Sequence, residues 1–131
     1  MQLIGGGVAA GSVKATIEVR NKSNHDCDLY GYAGIQLLSA QRLPLPTKVI
    51  WSTEAFFLST PAVAEIVELP SGAGRAYIPL SFNDVQEPCL QSALLRVTPP
   101  GASTSLDIPG YLFVCSGGTL TVNPVTGRST P

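Results

Sequence analysis

The chain has 131 residues, of which 44% are hydrophobic and 13% charged, and its net charge at pH 7 is −1. This length fits one domain built around a single core, and no apolar run reaches the roughly 18 residues that a membrane-spanning helix needs. The eight Lys and Arg are scattered singly along the sequence, so nucleic acid is not an expected partner. We predict one domain over residues 1–126 and a flexible tail over residues 127–131.

The N-terminal stretch MQLIGGGVAAGS contains neither Lys nor Arg and is too weakly apolar for a signal peptide. Its glycines fit a loose dinucleotide-binding pattern, but that pattern works only between a strand and a helix. Here a strand-like run follows instead, so we interpret the stretch as a flexible lead-in. The protein is then either cytosolic or an exported protein whose signal segment is not in this sequence.

Apolar and polar residues alternate from Val13 to Arg20, which predicts a half-buried strand with Lys14 and Glu18 on its solvent side. Further short strand-like runs cover residues 33–39, 47–53, 64–70, 74–82, 92–100, 104–110, 111–115 and 119–125. Pro or Gly interrupts every window with helical spacing, so we predict an all-β antiparallel sandwich or barrel. Pro79 cannot donate a ladder hydrogen bond, and we therefore expect an edge strand or a bulge there.

The stretch NHDCDLYGY, residues 24–32, places the chain's one histidine, His25, two residues before Cys27. A zinc site needs about four ligands with paired spacing, which this chain lacks, so we predict no metal and no cofactor. A nucleophilic Cys27 would need a lowered pKa, and the flanking Asp26 and Asp28 oppose that. We interpret His25 as a solvated turn residue and Asn21 as the residue that closes the first strand.

Three cysteines in a small chain leave one over. The spacing alone allows a disulfide between Cys27 and Cys89, between Cys27 and Cys115, or between Cys89 and Cys115. A fourth cysteine would complete a disulfide framework, so the count itself leaves the pairing open.

The segment WSTEAFFLSTPAVA concentrates the chain's one tryptophan, Trp51, with Phe56 and Phe57. Consecutive side chains of an extended segment point to opposite faces, so one Phe ring can pack inward while the other stays exposed. We predict a candidate interaction loop made of Trp51, Phe56 and Phe57. The alternative is that both Phe rings cover an end of the sandwich.

Several motifs occur in a specific order. A Gly-Ser pair, a strand ending in Asn and the motif Cys-x-Leu-x-Gly-Tyr lie within residues 9–40. Cys89 is followed by Leu-x-Val and Pro-Pro-Gly, and Cys115 by a Gly-rich turn and Leu-x-Val-x-Pro. Over nearly the whole chain these motifs resemble the bacterial family called domain of unknown function 4232, common in exported proteins and lipoproteins of actinobacteria.

The resemblance implies an immunoglobulin-like antiparallel β-sandwich of about 7–9 short strands, an exported setting and no established activity. It also implies a Cys89–Cys115 disulfide. The family usually carries a further cysteine several residues upstream of the position that Met1 occupies, so Cys27 is expected to lack its usual partner. The turn ELPSGAG departs from the family's Leu-x-Pro-Gly by the intervening Ser71.

We therefore predict a protein without enzymatic activity that is secreted or resides in the cell envelope. It would act as a binding module for a protein or another envelope component, with no transmembrane segment of its own. The alternative is a structural subunit or accessory layer of a surface assembly, which would pack through open edge strands. A hydrolase is the third and least favoured interpretation.

Overall fold

The computed structural model describes residues 2–4, 8–9, 12–22, 24–53 and 64–127. These residues form thirteen strands and no helix, which confirms the prediction of an all-β, sandwich-like fold. The strands are β1 (Gln2–Ile4), β2 (Val8–Ala9), β3 (Ser12–Arg20), β4 (Cys27–Leu29), β5 (Gly34–Leu38), β6 (Lys48–Trp51), β7 (Val67–Leu69), β8 (Arg75–Asn83), β9 (Leu90–Gln91), β10 (Leu94–Thr98), β11 (Leu106–Pro109), β12 (Phe113–Val114) and β13 (Thr119–Val122).

The largest sheet has the order β1-β3-β8-β13-β6, with β2 also paired to β3. A three-stranded sheet has the order β11-β10-β5, and two pairs, β12-β9 and β4-β7, complete the described part of the fold. The described strand pairs are antiparallel except β13 with β6, which run parallel. None of the described residues forms a helix of the length and hydropathy that a membrane span requires.

The apolar core lies between the sheets, because one side of each long strand contributes to the same cluster. Its fully buried side chains come from β3, β8 and β13 on one side and from β5 and β10 on the other: Ile17, Ile78, Leu80, Leu120, Val122, Leu37, Leu95 and Val97. Each such side chain contributes about 1.5–3 kcal/mol by leaving water. This core holds the strand ends in place.

Each strand-like run that the sequence predicts contains a strand, but two interpretations of β3 and of the stretch before it are wrong. The N-terminal lead-in contributes β1 and β2, which pair antiparallel with β3, because backbone pairing along an exposed edge requires no side-chain pattern. The polar side of β3 does not face solvent, since Lys14 and Glu18 are each only 6% exposed. Neighbouring strands flank β3 on both sides, and burial lowers the pKa of Lys14.

Pro79 lies in β8, which is an interior strand, so the expectation of an edge strand is wrong. The expected bulge is present, but it lies in the segment that follows β13 and faces β8. The Pro79 carbonyl accepts from the Asn123 N–H at 2.9 Å, and Tyr77 exchanges two hydrogen bonds with Thr126. Two residues therefore oppose one between these contacts, as in a bulge, and the missing proline N–H coincides with the end of the β13 ladder.

The two ends of the sandwich differ in construction. At the disulfide end, where β8 ends and β13 begins, Cys89 is bonded to Cys115 across 26 residues. At the open end, where β3 ends and β8 begins, described residues are held by hydrogen bonds. The predicted domain limit at residue 126 and the flexible tail stay predictions, and residues 128–131 lie outside the described part of the chain.

Candidate functional site

Trp51 is the last residue of strand β6, at the sheet edge, and 59% of its surface is exposed. Its ring stacks on that of Tyr32, with the centroids 5.3 Å apart and the planes at 8°. The indole Nε1–H donates to the Ala33 carbonyl oxygen at 3.2 Å. Stacking and this hydrogen bond together hold the indole in one orientation while much of its surface faces solvent. We call Tyr32 and Trp51 the aromatic platform.

Two backbone segments bring these rings together. On the Trp51 side, β6 pairs with β13 so that Trp51 lies opposite Val122. On the Tyr32 side, the Gly31 carbonyl accepts from the Val125 N–H at 2.8 Å. Gly31 has a φ of +98°, a conformation that glycine adopts without steric cost. Both rings are therefore positioned by the same segment, the end of β13 and the residues that follow it.

Of the predicted interaction loop, the structure places Trp51 and shows that it is exposed. Phe56 and Phe57 lie in residues 54–63, outside the described part of the chain. Sequence reasoning missed Tyr32 as the partner of Trp51. The family-like motif ends in that tyrosine, but nothing in the local pattern signals a contact with a residue 19 positions later.

The cysteine pairing that the resemblance implies is confirmed: Cys89 and Cys115 form the disulfide. Cys27 stands outside this bond, in β4, where it is half-buried and packs against the core. Its Sγ lies 3.9 Å from the His25 carbonyl oxygen. The stretch of residues 24–32 that suggested thiol or metal chemistry is thus a turn followed by a short strand.

Asn21 organises that turn and closes β3, the strand predicted to end there. It is 8% exposed, and its side-chain amide donates to the carbonyl oxygens of Leu69 at 2.8 Å and His25 at 3.0 Å. The Asp26 carboxylate accepts from the Ser71 N–H at 2.8 Å. These bonds fasten the turn after β3 to the turn between β7 and β8.

A bidentate ion pair joins β10 to β11, where Arg96 and Asp107 are direct cross-strand partners. The Arg96 guanidinium donates to the two Asp107 oxygens at 2.8 and 3.1 Å. This hydrogen bonding, with the attraction of the cation, holds the pKa of Asp107 below its usual value and raises the pKa of Arg96. Arg42 Nη1 approaches the same carboxylate at 3.4 Å. The shifted carboxylate is therefore accounted for by a structural ion pair.

Comparison with known families gives one finding. The model of the family described as "Domain of unknown function (DUF4232)" matches residues 1–126. Comparisons with curated proteins and with solved structures give no significant match.

Proposed function

The chain belongs to the DUF4232 family, and from that premise we propose that it is a non-catalytic binding module of the bacterial cell envelope or extracellular space. It contacts its partner through the aromatic platform. The observation that carries this proposal is the indole of Trp51, which is 59% exposed although it is stacked and hydrogen-bonded. A rigid aromatic surface offers contact area at a small loss of conformational entropy on binding.

Tryptophan supports such a role because it is enriched among the residues that dominate binding energies. An indole this exposed adds little to the core, so its fixed orientation is better explained by a surface contact. The proposed partner therefore has an apolar or aromatic group that covers the open face of Trp51.

The disulfide supports the proposed location. Disulfides persist in oxidising compartments outside the cytosol, and Cys89–Cys115 closes the end of the sandwich away from the platform. The Arg96–Asp107 pair supports a non-catalytic role, since the Asp107 carboxylate, whose pKa is lowered, is engaged by Arg96 and Arg42. A general base would instead need a carboxylate that is open to a substrate.

Retention of envelope material tests the proposal. Immobilised wild type, Trp51→Ala and Tyr111→Ala are exposed to soluble envelope fractions and culture supernatant of a bacterium that produces the protein. Tyr111 is the matched control, because it is an aromatic residue, 76% exposed, on another segment. We expect wild type and Tyr111→Ala to retain the same component and Trp51→Ala to lose about tenfold or more in affinity, the scale of a binding hot spot.

Trp51 is also the chain's single tryptophan, so its fluorescence reports directly on whether the retained component covers the platform. Equal retention by the three proteins, or an unchanged Trp51 emission in the complex, would contradict a contact at the platform. Because Trp51 is largely exposed, we expect Trp51→Ala to remain folded, and far-UV circular dichroism checks this.

A second candidate function, a subunit of a surface assembly, is favoured by a different observation. Tyr111 is exposed and Phe113 is 48% exposed, whereas the alternate residues Leu112 and Val114 are buried. Alternation thus places two aromatic rings on one outward face. Association in sedimentation runs that rises with protein concentration and disappears in Tyr111→Ala would favour this candidate over the platform.

A further inference from the structure

A small cavity lies at the open end, where the end of β3 meets the turn between β7 and β8. Its volume is about 170 Å³, and it is lined by Arg20, Asn21, Lys22, Arg75 and the turn residues 72–74. Sites for drug-sized ligands occupy about 300–1,000 Å³. This cavity therefore suits a small polyatomic ion rather than an extended molecule.

Three of the chain's eight Lys and Arg line this cavity, and none of its described lining residues carries a carboxylate. Two of them, Arg20 and Arg75, are direct partners across the β3–β8 ladder. Like charges directly opposite each other on neighbouring strands destabilise a sheet. A bound anion between the two guanidinium groups would remove that repulsion.

The cations differ in how they are held. Arg20 donates from Nε to Glu18 Oε1 at 2.6 Å, which orients its guanidinium and leaves the two terminal nitrogens for another acceptor. Among the described residues, neither Lys22 nor Arg75 has an ion-pair partner. The carboxylate of Asp26, which lies near the turn, is engaged by the Ser71 N–H. The charges of Lys22 and Arg75 are therefore not cancelled by the described lining of the cavity, whereas Arg20 shares its charge with Glu18.

The floor of the cavity is backbone that is fixed in place. The Asn21 N–H donates to the Gly74 carbonyl at 2.9 Å, while the Asn21 side chain binds Leu69 and His25. Gly72 has a φ of +71°, and a Cβ on Gly74 would collide with the backbone of Leu69. Within the described part of the chain the Gly72 N–H has no hydrogen-bond partner. Turns with left-handed residues present such N–H groups to anions.

We propose that this cavity is a binding site for a compact phosphate group, held by Arg20, Lys22 and Arg75 with help from the Gly72 N–H. Guanidinium groups match the geometry of phosphate oxygens, and charge-assisted hydrogen bonds are about twice as strong as neutral ones. Trp51 does not line the cavity. The site is therefore a second binding function, independent of the aromatic platform.

Titration with inorganic phosphate at constant ionic strength tests the proposal. Wild type, Arg75→Gln, Lys22→Gln and Lys48→Gln are compared by amide chemical-shift mapping. Lys48 is the matched control, because it is an exposed cation on β6 outside the cavity. We expect shifts concentrated at residues 72–75, a loss of about tenfold in affinity for Arg75→Gln and Lys22→Gln, and no change for Lys48→Gln.

Thermal unfolding gives an independent readout, since a ligand that binds the folded state raises Tm by mass action. Phosphate is expected to raise the Tm of wild type and not that of Arg75→Gln. In phosphate-free buffer Arg75→Gln is expected to unfold at the wild-type Tm or above it, because the Arg20–Arg75 repulsion is gone. Equal phosphate affinity in all four proteins, a matching loss in Lys48→Gln or no detectable phosphate binding by wild type would overturn the proposal.

Binding to lipid vesicles distinguishes a lipid headgroup from a soluble phosphate compound as the source of the phosphate group. Co-sedimentation with phosphatidylglycerol vesicles that is absent with phosphatidylcholine vesicles, and is lost in Arg75→Gln, assigns the site to a lipid headgroup. Free-phosphate binding without vesicle binding assigns it to a soluble phosphate compound, and vesicle binding that survives Arg75→Gln overturns the proposal. Trp51→Ala should bind phosphate like wild type, so failure of the platform and failure of this site are separate results.

Discussion

The two ends of the sandwich hold their strands together by different interactions, a disulfide at one end and hydrogen bonds at the other. The disulfide end is joined covalently through Cys89–Cys115, and Gly118 there lies so close to the Pro46 carbonyl that no side chain fits. The open end displays an exposed indole and two cross-strand arginines. An exposed ring and two like charges, which add little to stability or oppose it, thus lie at the end opposite the crosslink.

The largest expected effect is at the disulfide end. Replacing Cys89 and Cys115 together by Ala removes a crosslink worth roughly 3–4 kcal/mol in the chain-entropy model. We expect Tm to fall by about 10–20 °C, measured by differential scanning calorimetry. Cys27→Ala serves as the control, because Cys27 is not in the disulfide, and its Tm should change far less. A comparable fall for Cys27→Ala would mean that lost packing of a cysteine side chain, rather than loss of the crosslink, lowers Tm.

The second-largest effect is expected at the open end. There the Asn21 side chain joins neighbouring turns by hydrogen bonds, as the disulfide joins segments at the disulfide end. Asn21→Ala leaves the buried Leu69 carbonyl without its side-chain donor, and we expect a loss of about 1–3 kcal/mol in the free energy of unfolding. Urea denaturation measures it, with the exposed Asn24→Ala as the control. If Asn21→Ala is neutral, the open end is held by other contacts and the contrast between the ends weakens.

The smallest expected effect concerns the Arg96–Asp107 ion pair between β10 and β11, which is part of neither end. The pKa of Asp107 is lowered by its hydrogen bonds to Arg96, so the ion pair stabilises the fold above the unfolded-state pKa of about 3.9. That contribution is lost as pH falls through the folded-state pKa. We expect Asp107→Asn to lower Tm slightly at pH 7 and to flatten the fall of Tm in acid. An unaltered acid response in Asp107→Asn would be evidence against this pair.

Much of the fold follows from local pattern. Alternation from Val13 to Arg20 predicts β3, and the VTPPG stretch closes β10 because two prolines cannot continue a ladder. The wrong predictions concern burial and sheet position, which depend on the neighbouring strands. Lys14 and Glu18 are polar, but β3 has partners on both edges and buries them, and β8 is interior despite Pro79.

The candidate sites were less predictable than the strands. Trp51 stood out because it is the one tryptophan in an apolar, sparsely charged segment. Tyr32 did not, since its contact with Trp51 depends on β6 running parallel to β13. Likewise, the lysines and arginines are scattered along the chain, and no charge pattern predicts that Arg20 and Arg75 lie opposite each other.

By itself the sequence determined the all-β class, the positions of the long strands and, through its family-like motifs, the Cys89–Cys115 pairing. These features depend on residues near one another in sequence or on a recognisable order of motifs. The tertiary structure alone decided that Tyr32 supports Trp51 and that Arg20, Lys22 and Arg75 share one cavity. Sheet order and register set such distances, and both arise from packing of the whole core rather than from the residues that it brings together.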